Sequence, residues 1–482
     1  MHYFKKRIFF VLLLLPGLLM ASSAQNNHGD PVSLVIFWVT LIFFLGLIGR
    51  SIAIAFNQPG VLGELLMGVL VGNVGYFFDL HAAVILREGG AIFTVLKDMF
   101  EGVPLATAVH TSITDPSSIP RVMQALGNPN SIDLIKVAYV LDIFSRYGVI
   151  FLLFMVGLES SVEELKHTGR ESTQVAFLGI LGPIVLGFII MYLLVPEASF
   201  NTHLFVAATL SATSVGITAR VLKEMKKLRT REAKTILGAA VLDDILGLVI
   251  LAVVSSIVVK NTIDIGTVAQ IILLALLFLV SAILIGPWLI KKAVKVFSFL
   301  ETWEVKLFIS FIFSMGLAWL ASIVQLATII GAFAAGIIIH EGFFEREKTQ
   351  RKELSVHDLM RPFEAILAPL FFMLIGIQVK LETFLHWKVL GTATGLIIAA
   401  ILGKLISGLG AKKGDDRLLI GIGMLPRGEV GLVFASIGIT LGVIDDHIFS
   451  SIIFMVIITT FIAPPWLKKR YEKREKVESS SS

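Results

Sequence analysis

The sequence predicts an all-α polytopic membrane protein of about 13 transmembrane helices, arranged as inverted repeats with two broken helices. Three observations point there. Hydrophobic residues make up 56% of the 482-residue chain and charged residues 16%, against about 25% charged in a soluble domain. Apolar segments long enough to cross about 30 Å of hydrocarbon recur along the chain. Two of those segments are interrupted by small, polar or helix-breaking residues. So apolar a chain cannot coat itself with a polar skin. This excludes a cytosolic enzyme, a disordered scaffold and a nucleic-acid-binding domain. There is no cysteine, which excludes disulfides, thiol catalysis and thiolate metal sites.

Residues 1–24 read as a secretory signal peptide. Lys5, Lys6 and Arg7 precede an apolar run, and Ser22 and Ala24 close it before Gln25. Its removal would leave the amino terminus outside the cytoplasm. The expected transmembrane domain covers 31–467. Its spans are 32–50, 60–78, 147–158 with its flanks, 173–195, 203–221, 236–259 and 267–289, then 306–324, 326–340, 362–380, 387–410, 418–440 and 447–467. Lys and Arg crowd one side of that arrangement, in 220–234, 291–306, 346–361, 412–417 and the basic tail 468–482. The other side holds scattered cations such as Arg87, Arg121, Lys260 and Lys388. The positive-inside rule therefore places the carboxyl terminus in the cytoplasm. An extracytoplasmic loop, 87–140, carries the turn signals Asp115-Pro116, Ile119-Pro120 and Asn128-Pro129 and is expected to form short helices.

A charge at the bilayer centre costs about 2.5–3.5 kcal/mol on insertion scales, so charges inside spans need a reason. Asp243 and Asp244 sit mid-span in GAAVLDDILGLVI. They suit cation binding, proton carriage or ion pairing. Neighbours on a helix point about 100° apart, so one can face a wet cavity while the other faces a helix. Lys404, in LIIAAILGKLISGLG, either snorkels to the interface or pairs with an aspartate. In GIGMLPRGEVGLVFA, Pro426 removes a helix hydrogen bond and four glycines loosen the stretch. Arg427 and Glu429 are expected to neutralise each other or the exposed helix ends. In LSATSVGITARVL, hydroxyls including Thr213 and Ser214 surround Gly216. The two interrupted spans are fifth and twelfth in order. An odd offset reverses orientation, so spans 1–6 and 8–13 read as inverted repeats joined by span 7. Broken helices at matching places in such halves point to a midplane ion site.

At these residues the chain resembles the monovalent cation:proton antiporter-2 family of the sodium/proton antiporter superfamily. The resemblance rests on five stretches in order: PGVLGELLMGVLVGN (59–73), GVIFLLFMVGLE (148–159), LSATSVGITARVL (210–222), LGAAVLDDILGLVI (237–250) and GMLPRGEVGLVFA (423–435). It implies exchange of cytoplasmic Na⁺, or Li⁺ or K⁺, for external protons, with no cofactor. It also implies an elevator mechanism, with a core of spans 4–6 and 11–13 sliding on a dimerisation domain of spans 1–3 and 8–10. A homodimer in a bacterial inner membrane is the implied assembly. Asp244 matches the essential ion- and proton-binding carboxylate, and Asp243 its neighbour and fellow Na⁺ ligand. Lys404 matches the intramembrane lysine of electrogenic members, and Thr213 and Ser214 the segment crossing the site. Electroneutral relatives carry Asn before the essential Asp and an acid five positions before that Asp, where this chain has Asp243 and Ala239. Potassium-efflux relatives have Gln before the Asp. Loop 87–140 has no assigned counterpart. The rivals are a sodium-coupled symporter of the same architecture and a cation channel. An intramembrane aspartyl protease would need its two acids on separate helices.

Overall fold

The structure is a computed structural model. It describes residues 32–480, apart from 57, 114–117, 130, 160–168, 215–217, 219–220, 223–224, 228–229, 261–264, 325, 327, 345–353, 386 and 428. The expected signal peptide and Gly216 lie outside the described residues. Every regular element among the described residues is helical. Nine helices there are long and apolar enough to cross a membrane. They correspond to nine of the expected spans. The other four expected spans are shorter, interrupted or charged.

The chain divides into two compact units. The first holds the residues up to Arg146 together with Pro369–Leu381. It contains α1 (Ser33–Ala55), α2 (Gly60–Phe77) and four short helices: α3 (His81–Glu88), α4 (Gly90–Phe100), α5 (Leu105–Ser112) and α6 (Ile119–Gly127). α7 (Ser131–Glu159) begins in this unit. A Cβ placed on Gly63 would stand 2.0 Å from the Gly49 carbonyl oxygen. Only glycine lets α1 and α2 approach so closely, the usual way membrane helices gain packing without a hydrophobic drive. The short helices bear out the helical reading of 87–140, but its last residues belong to α7. Within α7, Lys136 pairs with Asp133 at 2.9 Å and Arg146 with Asp142 at 2.7 Å. Those charges interrupt the hydropathy without interrupting the helix, so the span begins far earlier than its apolar run.

The second unit holds Tyr147–Ala368 and Glu382–Ser482. Its helices are α8 (Arg170–Leu194), α9 (Phe200–Thr209), α10 (Arg231–Lys260), α11 (Ile265–Val296), α12 (Thr302–Ile323) and α13 (Thr328–Ile338). α14 (Val356–Ile377) runs from this unit into the first. α15 (Trp387–Ser407), α16 (Arg417–Gly423), α17 (Glu429–Thr440) and α18 (Asp446–Ser480) complete it. α8 and α15 pack closely: a Cβ on Gly403 would meet the Pro183 nitrogen at 2.5 Å. That approach seats the residue next to Gly403, Lys404, deep against α8.

Candidate ion-exchange site

The two interrupted spans break for different local reasons. α9 is capped at its start by Ser199, whose hydroxyl accepts from the Thr202 amide at 3.1 Å. It stops at Thr209. Hydroxyls then satisfy carbonyls of its last turns: Thr209 donates to the Phe205 oxygen at 2.9 Å and Ser211 to the Ala208 oxygen at 2.7 Å. Such local bonds compete with helix continuation. α16 is only seven residues long, capped by Asp416, which accepts from the Leu419 amide at 3.0 Å. It ends before Pro426, and α17 restarts at Glu429.

The two breaks meet. The Ser214 amide donates to the Pro426 carbonyl at 2.9 Å. Thr218 donates its hydroxyl proton to the Gly423 carbonyl at 2.7 Å. Arg427 Nη1 donates to the Ala212 carbonyl, and the Arg427 carbonyl accepts from Thr460 of α18. Each chain therefore satisfies polar backbone that the other break has exposed, as non-helical backbone at membrane depth requires. Thr213, Ser214 and Arg427 are all buried. The Thr213 hydroxyl has no hydrogen-bond partner among the described residues.

α10 brings the aspartates. Asp243 is 1% exposed and Lys404 0%. The Lys404 ammonium donates to both Asp243 oxygens, at 3.3 and 3.2 Å. Snorkelling is thereby excluded for Lys404. Its ammonium lies against α8 at Gly179, where a Cβ would come within 3.6 Å of Nζ. The same Cβ would lie 3.8 Å from the Met424 methyl, just past the end of α16, so the ion pair sits near the crossing. Toward the amino terminus of α10, Ile236, Ala239 and Ala240 join Leu419, Ile422 and Met424 in a dry apolar cluster.

The sequence-derived residues thus fall into three groups. Asp243 pairs with Lys404, while Thr213, Ser214, Pro426 and Arg427 form the crossing. Asp244 follows Asp243 in α10, and Glu429 opens α17; their side chains lie outside what the structure describes, as does the expected Arg427–Glu429 pairing. Thr218 lay in a stretch already singled out by its hydroxyls. Two contributors escaped sequence reasoning: Gly179 and Thr460. Gly179 and Thr460 carried no signal, because a glycine or threonine in an apolar span is ordinary.

Comparison with known proteins identifies a family and a fold. The family described as "Sodium/hydrogen exchanger, transmembrane" matches residues 39–469. The high-affinity Na⁺/H⁺ antiporter NhaS3 of Synechocystis sp. is 36% identical, over 98% of this chain and 98% of its own. The Na⁺/H⁺-K⁺ antiporter GerN of Bacillus cereus is 32% identical, over 78% of this chain and 95% of its own. Among solved structures, the sodium proton antiporter MjNhaP1 of Methanocaldococcus jannaschii shares the fold. Its TM-score is 0.54 at 17% identity, covering 91% of this chain and 97% of that one.

Proposed function

The chain belongs to the transmembrane sodium/hydrogen exchanger family, and from that premise we propose that it exchanges Na⁺ for H⁺ at Asp243 and Asp244. The observation that carries this reading is the fully buried Lys404–Asp243 ion pair beside two broken helices. A pair so far from water has a large desolvation cost and is weak evidence for stability. Its value is as a device that opens when a competing cation arrives.

In this mechanism Na⁺ takes Asp243 away from Lys404 and binds Asp244 as well. The Thr213 hydroxyl and carbonyls of the crossing complete an oxygen shell, which suits a hard cation. An ammonium deprived of its counter-ion in so dry a place gives up its proton. From the other side one proton returns to Lys404, restoring the pair, and a second binds Asp244, so that Na⁺ is expelled. Bare carboxylates would be costly to carry past an apolar surface, so the carrier moves only when loaded. Two protons entering per Na⁺ leaving would move one net charge, worth about 2.3 kcal/mol per 100 mV. Lys404 is the proton carrier that would make exchange electrogenic.

An elevator motion of spans 4–6 and 11–13 against a dimeric scaffold would supply alternating access. That division differs from the two compact units, which group α12 and α13 with the site-bearing helices. The Lys and Arg distribution supports an amino terminus outside and a carboxyl terminus inside a bacterial inner membrane. A homodimer is proposed on the resemblance.

The test is exchange in proteoliposomes with Na⁺, Li⁺ and K⁺ in turn, at clamped and unclamped potential. A pH gradient that drives Na⁺ uptake without any organic solute supports antiport. Flux that requires an organic solute would support a symporter, and cation flux uncoupled from protons a channel.

A further inference from the structure

A cavity of about 400 Å³ opens at one end of the second unit, between the end of α8 and the starts of α15 and α18. The distribution of Lys and Arg assigns this end to the extracytoplasmic side. The size falls within the range of small-molecule sites. None of its lining residues belongs to the exchange site.

Its lining is chemically mixed. Lys388 and His447 offer N–H donors, and Glu197 and Asp445 offer carboxylates, over a floor that includes Val389. Trp387 stands at the rim, 86% exposed. Tryptophan is enriched where membrane meets water. The α8 wall beside the opening presents Ile189, Tyr192 and Leu193 outward, an apolar face suited to hydrocarbon. Lys388 pairs with Glu197 at 3.5 Å, but the two side chains are 87% and 60% exposed. Water and salt screen such a pair, so exchanging it for contacts with a ligand costs little. Asp445 is committed to capping α18, accepting from the Ile448 amide at 2.8 Å.

We propose that this cavity seats the headgroup of a zwitterionic phospholipid bearing a primary amine. Its phosphate takes the place of Glu197 against Lys388 and receives a hydrogen bond from His447. Its ammonium donates to the Glu197 carboxylate, and the acyl chains leave along the apolar face of α8. Opposite charges in one cavity match a zwitterion better than an anion, because an anionic headgroup would leave Glu197 facing a phosphate without compensation.

Native mass spectrometry of the delipidated full-length protein tests this. The probes are phosphatidylethanolamine, phosphatidylglycerol and phosphatidylcholine with identical acyl chains, and soluble phosphoethanolamine. Phosphatidylethanolamine should be retained about tenfold over the other two lipids, the scale of one charge-assisted contact. Phosphatidylcholine is the sharpest control, since its quaternary ammonium has no N–H to donate. Lys388→Ala and Glu197→Gln should each remove that preference, and Lys388→Arg should keep it. Neither exposed side chain belongs to the exchange machinery, so Na⁺/H⁺ exchange by the variants reports intact folding. Equal retention of all three lipids, or a preference that survives both substitutions, would overturn the proposal. Tight binding of soluble phosphoethanolamine with no lipid preference would also overturn it, by assigning the cavity to a water-soluble solute.

Discussion

At the scale of single residues, the candidate site is a contest for Asp243. Lys404 holds both of its oxygens, and in the proposed exchange a metal ion displaces that ammonium. Asp244→Asn should abolish ΔpH-driven Na⁺ flux in proteoliposomes while the protein stays monodisperse by size exclusion; retained flux would reject Asp244 as the exchanging carboxylate. Lys404→Gln should weaken or abolish the dependence of flux on a clamped potential, and an unaltered current would remove Lys404 from the proton path. Thr213→Val deletes a buried hydroxyl that lacks a described partner. It should raise the KM for Na⁺ about tenfold, or ~1.4 kcal/mol, with little change in kcat. Asp243 and Lys404 were legible in the sequence because charges are conspicuous in apolar spans. Gly179 was not, since its role is to leave space for an ammonium from another helix.

At the scale of elements, both breaks were legible, one from Pro426 and its glycines, the other from a run of hydroxyls. Their mutual bonding was not, because the Ser214 amide and the Pro426 carbonyl lie 212 positions apart. The short helix α16 has too few residues to be stable alone and depends on its ends. Asp416 caps it and also receives Arg470 of α18 at 2.8 and 3.0 Å. Burial would raise the Asp416 carboxyl, but the bonds from Arg470 and the Leu419 amide outweigh it and hold it below the usual carboxylate range. A carboxyl lowered in the folded state contributes stability above its unfolded value, about pH 4, and loses it as pH falls through the folded value. Asp416→Ala should therefore lower the apparent Tm in detergent, the loss of one cap being about 0.5–2 kcal/mol. The deficit relative to the parent should shrink as the buffer is taken well below pH 4. A deficit that persists unchanged in acid would assign the effect to packing instead of charge.

At the scale of the whole molecule, orientation is a statement about charge. Because the chain has no cysteine, single introduced thiols report it cleanly. Lys413→Cys should react with a membrane-impermeant maleimide only after cytoplasmic access is opened, and Lys388→Cys in intact cells. The reverse pattern would invert the topology. The nine long helices followed from hydropathy alone. Hydropathy misplaced the start of α7, where paired charges continue a helix that no longer looks apolar.

Composition and hydropathy by themselves determined that the chain lives in a bilayer as a helical bundle. The acids at 243 and 244 and the interruptions in two spans marked the candidate site. Those are local properties, set by what each segment can tolerate next to lipid. Only the tertiary structure decided that Lys404 turns inward to Asp243, that Arg427 bonds the Ala212 carbonyl, and that Thr460 holds the Arg427 backbone. Those pairings join residues 33 to 215 positions apart. Each partner has several ways to be satisfied locally, and helix packing selects among them, as where the close approach of α8 and α15 at Gly182 and Gly403 seats Lys404.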